Sequence, residues 1–147
     1  MDLFGNEQML AITLKQPYAS LMLQGKDETR TWPTNYRGLV LLCSGRQPYP
    51  YEEIVKISGD VQLSRLWEAL SYAQFKDLPA GKAIAVGNLI SCRRMTPADE
   101  NKTFVAYKNG LYCHIYANVR PIVPFDWKGV QGWKKVDQKT INQIKYL

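Results

Sequence analysis

The residues whose types and spacing bear on chemistry crowd between Lys15 and Gly38, KQPYASLMLQGKDETRTWPTNYRG. These 24 residues hold Lys15, Gln16, Lys26, Asp27, Glu28, Arg30 and Arg37, with the aromatics Tyr18, Trp32 and Tyr36. Glu28 and Arg30 stand two apart in a strand-like run, Glu28 to Trp32. An extended backbone therefore turns both to one face, and Thr29 and Thr31 to the other. The guanidinium of Arg30 is a planar fork that matches a phosphate or the edge of a base. The alternative is an ion pair that only ties the strand to its loop. A second concentration, Asp126-Trp-Lys-Gly-Val-Gln-Gly-Trp-Lys-Lys, sets Trp127 and Trp133 among Lys128, Lys134 and Lys135 in a glycine-interrupted loop. Aromatics interleaved with cations suit the stacking of unpaired bases, although aromatics are more often core. Trp32 and Trp67 read as core.

Other chemistries find little support. His114 is the single histidine and lies in mid-strand, so it reads as packed and offers no histidine acid–base pair. Ser44 has no nucleophile elbow or histidine partner and is no serine-hydrolase signal. Cys43, Cys92 and Cys113 are odd in number and far apart, without a CxxC pair, which argues against a structural metal and for free thiols in a reducing compartment. No phosphate-cradling glycine motif or dinucleotide fingerprint is present, and no cofactor is implied.

The elements that must position these residues follow from local signals. Leu10 to Leu14 reads as a strand. Pro17 takes the first position of a helix with Tyr18, Leu21 and Met22 on its apolar face, and Gly25 ends it. Leu39 to Ser44 is a continuous apolar strand, expected to be buried on both faces. Residues 45–81 are mostly helical: Pro50, Glu52 and Glu53 suit a first turn, Ser58-Gly59 breaks the chain before Asp60, and Leu63, Leu66, Trp67 and Leu70 repeat at helical spacing. Pro79-Ala-Gly81 turns into a long strand, Lys82 to Arg93. Thr96-Pro97 with Asp99 and Glu100 opens a short capped turn. Asn109-Gly110 predicts a two-residue hairpin between Phe104–Tyr107 and Leu111–Tyr116, the second strand running on to Val123. Asp137 caps a last helix that packs Ile141 and Ile144 inward. About six strands and three or four helices in mixed order, without regular alternation, predict one α+β domain: a small mixed barrel with helices over its openings.

The net charge of +6 is unevenly placed. Residues 1–100 hold eleven basic and eleven acidic side chains, whereas residues 101–147 hold eight basic ones against Asp126 and Asp137. Such an excess attracts polyanions, nucleic acid above all, or simply solvates a face. The opening run MDLFGNEQ lacks the basic and apolar regions of a signal peptide, and no apolar run reaches membrane-spanning length. The expectation is a soluble cytoplasmic protein without a membrane partner.

Taken together, the motifs resemble the ASCH domain family (activating-signal-cointegrator homology) of the PUA-like superfamily. Ala11-Ile-Thr-Leu-Lys-Gln-Pro-Tyr-Ala is similar to its opening strand and helix start. Glu28-Thr-Arg-Thr-Trp with Asn35-Tyr-Arg-Gly resembles its E-x-R strand and turn. Leu41-Leu-Cys-Ser and Ala83–Cys92 resemble barrel strands, and Val119-Arg-Pro-Ile-Val-Pro-Phe with Lys128-Gly-Val-Gln-Gly-Trp resembles the closing segment. The match runs from about Leu10 to Val136, with a Lys26-to-Glu28 spacing one residue shorter than in the family pattern. The resemblance implies a PUA-like barrel and a polar cleft. Lys15, Gln16, Lys26, Glu28 and Arg30 would converge there with Ser44, Lys128 and Gln131. Together with the basic excess and the aromatic loop, it points to RNA or single-stranded nucleic acid as ligand, with Lys15, Gln16, Arg30, Ser44, Lys128 and Gln131 in the cleft, Trp127 and Trp133 for stacking, and Lys134 and Lys135 for phosphates. The alternative that the resemblance implies is a small hydrolase, an amidohydrolase on a modified (acylated) nucleoside or a ribonuclease, in which Lys26 activates a hydroxyl with Thr29 or Glu28. A protein-interaction adaptor with a disused cleft is the third reading.

Overall fold

The computed structural model describes residues 8–147; the opening residues read above for a leader lie outside them. Strands β1 (Leu10–Leu14), β2 (Glu28–Arg30), β3 (Gly38–Ser44), β4 (Lys82–Arg94), β5 (Tyr112–Asp126) and β6 (Lys134–Lys135) form one sheet in the order β2-β5-β4-β3-β1-β6. The pairing is antiparallel except between β1 and β3, which run parallel with Leu14 opposite Ser44. Register shifts at Leu42/Cys43 and at three places along β4 and β5 each bend a strand and increase its twist. They curl the sheet into a half-barrel, giving the mixed α+β barrel-like domain that the element count predicts.

The tail draws the curl tighter. After β6 the chain forms α5 (Gln138–Gln143), whose N-cap is Asp137, its carboxylate accepting from the Thr140 amide at 2.7 Å. It then lies against the free edge of β5. Val123 N donates to Lys145 O at 2.8 Å, and the Arg120 guanidinium sits 3.9 Å from the Tyr146 ring centroid. One segment thereby links the β1 edge to the β5 edge.

Alternation along β3 fills two cores. Leu41 and Cys43 pack with Met9, Ile122, Val136 and Ile141, while Val40 and Leu42 pack on the other face with Ile12, Met22, Ile84 and Leu89. Burial on both faces is therefore as the apolar run predicts. A third core joins α1 (Tyr18–Leu21), α2 (Tyr51–Ala69) and α4 (Glu100–Thr103) through Tyr18, Leu21, Ile54, Leu66 and Phe104. α3 (Tyr72–Lys76) closes that side, started by a Ser71–Gln74 capping box.

Glycine breaks fall where expected. Gly25 takes φ +85° after the 3-10 turn Met22–Gln24, and Gly59 (φ 74°) kinks α2. Pro17 occupies the N-cap of α1, one place before the expected position, after a cis bond to Gln16. The hairpin at Asn109-Gly110 does not form. Phe104 caps α4 with φ 60°, Ala106 N donates to Ile57 O at 2.9 Å, and Phe104 and Val105 are buried against the helices. The apolar run that resembled a strand is satisfied by helical packing. Asn109-Gly110 only turns the chain into β5, which pairs with β4 and β2 and runs past Val123 to Asp126. β2 is shorter than expected, ending at Arg30.

Candidate functional site

Because β1 and β3 are parallel with Leu14 opposite Ser44, their C-terminal ends emerge side by side. Lys15 follows one end, and the loop Gly45–Tyr49 follows the other. Gly45 N donates to Leu14 O at 2.9 Å and Tyr49 N to Gln16 O at 2.9 Å, so the loop is tied to the start of α1. β2 lies along the first residues of β5, and the segment Trp127–Gly132 leaves its far end. These four segments enclose a cavity of about 860 Å³, within the range of small-ligand sites. Its wall includes Lys15, Arg30, Arg46 and Lys128, the aromatics Tyr18, Trp32, Tyr49 and Trp127, and the polar groups Thr13, Thr29, Ser44, Gln47 and Gln131. Glu28 is its one carboxylate among the described residues.

That carboxylate is already engaged. Glu28 Oε1 accepts from Lys26 Nζ at 3.2 Å and from the Thr29 amide at 2.8 Å, and Oε2 lies 3.6 Å from Arg30 Nη2. Burial pushes the Glu28 carboxyl up, but the Lys26 ammonium, then Arg30 and the Thr29 amide, outweigh it and hold it below the usual value. Arg30 also donates to Thr13 O at 3.0 Å. Its Nε, like Trp127 Nε1, is buried without a hydrogen-bond partner among the described residues. By contrast Lys15, Arg46 and Lys128 have no ion-pair partner among the described residues. The cavity is thus a positively charged hollow walled by rings. Such a hollow suits an anionic ligand with a flat apolar part.

The predicted site residues sort into three groups. Lys15, Glu28, Thr29, Arg30, Ser44, Trp127, Lys128 and Gln131 are brought together on the cavity wall. Ser44 is almost closed off and its Oγ lies 3.3 Å from both Lys82 N and Lys82 O. Thr29 and Thr31 line the cavity too, contrary to the expectation that they face away: β2 ends at Arg30, so Thr31 lies past the strand and outside its alternation, and Thr29 sits in a strand only three residues long. Gln16, Lys26, Trp133, Lys134 and Lys135 do not line it.

The reasons differ for each of those five. The Gln16 carboxamide is buried, taking the Ser20 amide at 2.9 Å and donating to Ser20 Oγ and Pro79 O, so it finishes the start of α1. Lys26 is completely buried: its ammonium bonds Asp27 O at 2.8 Å and Glu28, and lies 5.6 Å from the Tyr18 ring centroid. It reaches the cavity only through Glu28. Trp133 stands within 6.5 Å of Trp32, Tyr36 and His114 in an aromatic cluster and donates to Thr34 Oγ1 at 3.3 Å. Trp32, read as core, belongs to that cluster yet also borders the cavity. Lys134 bonds the Lys128 carbonyl, and Lys135 projects from β6 into solvent. Of the basic excess in the last third, Lys128 alone borders the cavity; Lys102 donates to Gly25 O and Arg120 covers Tyr146.

Sequence reasoning missed Thr13, Arg46, Gln47, Tyr49 and Gly129. The run Ser44-Gly-Arg-Gln-Pro-Tyr49 carries loop composition directly after an apolar strand, which was the available signal. Beneath the wall, Tyr18 donates its hydroxyl to Ser58 Oγ at 2.7 Å, and Ser58 in turn donates to Phe104 O. Burial pushes the Tyr18 phenol up to about 12, so it stays protonated in this relay.

His114 stands behind Trp32, with Nε2 2.9 Å from Trp32 O. A carbonyl only accepts, so Nε2 carries the proton. Burial, partly opposed by that hydrogen bond, keeps the ring's affinity for a second proton below the usual 6.5. A depressed histidine makes the fold strongest above its unfolded value and weaker as pH falls from there toward the folded one. Glu28, also depressed, adds a second loss beginning below its unfolded value of 4.5. His114→Gln, which keeps a donor for Trp32 O, is expected to flatten the upper limb and leave the lower. Urea midpoints taken through the acid range check this; an unchanged upper limb would clear His114 of the effect.

Among the described residues no cluster of three or more histidine, cysteine or carboxylate side chains is arranged for a metal, and no helix is long and apolar enough to cross a membrane. No family model and no curated protein matches the sequence.

Proposed function

We propose that this chain is an ASCH-type, PUA-like domain that binds single-stranded nucleic acid, RNA in the first instance, in the cavity between β1, β2, the Gly45–Tyr49 loop and the Trp127–Gly132 segment. The observation that carries this reading is one cavity with rings on its wall and with Lys15, Arg46 and Lys128 free of carboxylate partners among the described residues. Phosphates would take the cations, and unpaired bases would stack on Trp127, Tyr49 or Trp32. Arg30 and Trp127, which line the same wall, each bury an N–H group without a partner among the described residues. The free thiols fit the cytoplasm as the place of action. The hydrolase reading finds less support, because Lys26 would have to act through Glu28 from a position with no exposed side-chain surface.

The test is fluorescence polarisation of a labelled single-stranded RNA at low and moderate salt, with the wild type and Arg30→Ala. Salt-sensitive binding that Arg30→Ala weakens by about tenfold is the expected result. Absence of binding at low salt would remove the polynucleotide reading and send the search to modified nucleosides.

A further inference from the structure

The segment Trp127–Gly132 leaves the end of β5 without regular structure, yet it is fastened at several points. Trp127 N donates to Gly81 O at 2.9 Å. The Lys134 ammonium donates to Lys128 O at 2.7 Å and lies 4.7 Å from the Trp127 ring centroid. Between these points Gly129 rests directly on β1. A Cβ at Gly129 would stand 2.4 Å from Thr13 Oγ1, 2.8 Å from Cγ2 and 2.9 Å from Cβ. The last of these is rooted in the strand and cannot swing aside. Thr13 is also the residue whose carbonyl takes the Arg30 guanidinium at 3.0 Å, so the segment and Arg30 are seated on the same residue from two directions.

We propose that Gly129 is a positioning residue: by lacking a side chain it lets the Trp127–Gly132 segment dock on Thr13 as a fixed wall of the cavity. That wall holds the Lys128 ammonium for a phosphate and the Gln131 carboxamide for a base of the same single-stranded ligand. Both side chains border the cavity, and the Lys128 carbonyl is held from behind by Lys134. A carboxamide offers one donor and one acceptor side by side, which a base edge can match. A wall already in place spares the ordering cost that a loose loop would impose on binding. Lys134, expected to meet phosphate, is assigned here to holding the wall. The ligand half of this inference rests on the nucleic-acid reading; the docking half does not.

Two readouts on the full chain separate those halves. Amide hydrogen exchange of residues 127–132 without ligand reports docking, and polarisation with a fluorescein-labelled single-stranded RNA reports function. Gly129→Ala is expected to speed exchange at the Trp127 amide and weaken RNA binding by about tenfold. Thr13→Ala in that background removes the two nearest clashing atoms and should move both readouts back toward wild type. Lys134→Met keeps the aliphatic stem, loses the bond to Lys128 O, and should act in the same direction even if Gly129→Ala folds poorly. Wild-type exchange in Gly129→Ala and in Lys134→Met would overturn the docking. Faster exchange with unaltered RNA affinity would overturn the role of the wall in binding. A wild type that binds no RNA, with exchange still accelerated in the variants, would end the nucleic-acid reading and leave the docking standing.

Discussion

Glu28→Ala is expected to lower the stability of the fold by about 3–5 kcal/mol, a large part of the total for a domain of this size. The effect comes from what remains. The Lys26 side chain has no exposed surface, and Glu28 is the carboxylate it contacts, at 3.2 Å. Without that carboxylate, Asp27 O and the face of Tyr18 are left to hold an ammonium out of water. A carbonyl dipole and a ring recover only part of the lost hydration. The double variant Lys26→Met, Glu28→Gln removes both charges and keeps the volume, and should recover most of the loss, since a buried pair as a whole adds little over an apolar replacement. Urea unfolding of the wild type, Glu28→Ala and the double variant measures both. If Glu28→Ala cost less than about 1 kcal/mol, Lys26 would have to reach water in solution, and its burial could no longer argue against a chemical role.

The second large effect concerns the cavity cations. Neutralising Lys15, Arg46 and Lys128 together to glutamine should weaken single-stranded RNA binding at low salt by about a hundredfold and reduce the slope of log affinity against log salt by about 2, since each phosphate neutralised on a single strand contributes about 0.7. Thermal unfolding should barely move, because these side chains have no ion-pair partners among the described residues. The matched control neutralises Lys108, Lys139 and Lys145, which are exposed and lie away from the cavity wall. It subtracts the same total charge. If both triples lowered the slope equally, the field of the whole protein and not the cavity would be holding RNA, and the proposed site would be wrong.

The stability and the charge experiments bear on different parts of one constellation. Glu28 stands between them: it faces the cavity, yet its charge is spent on Lys26 below and Arg30 beside it. Its neutralisation from within leaves the cations of the wall dominant. The E-x-R pair, open in the sequence to a binding or a purely structural reading, is therefore split in the fold. Glu28 is engaged by Lys26 and Arg30, whereas Arg30 bonds β1 and has an Nε without a partner among the described residues.

Much of the architecture was legible in the sequence because it rests on short-range physics. Gly25 ends a helix where a left-handed φ is needed, Asp137 caps α5 through an amide three residues on, and the apolar run of β3 is buried on both faces. Each depends on neighbours a few residues away. The misread hairpin shows the limit of such signals: Asn109-Gly110 turns the chain, but which strand pairs with β5 was decided by competition among distant segments, and β4 and β2 won. The site lay further from view. Lys26 has the character of a surface residue, and is buried where its ammonium meets Asp27 O, the Glu28 carboxylate and the ring of Tyr18 on α1. Arg46 and Tyr49 joined Lys15 because two parallel strands end side by side. Thr13 meets Gly129 across nearly the whole chain. Local sequence thus determined the elements and the residue types available to a polar cleft. Tertiary structure alone decided which of those side chains face the cleft, because facing is set by pairing and packing between segments that carry no local record of each other.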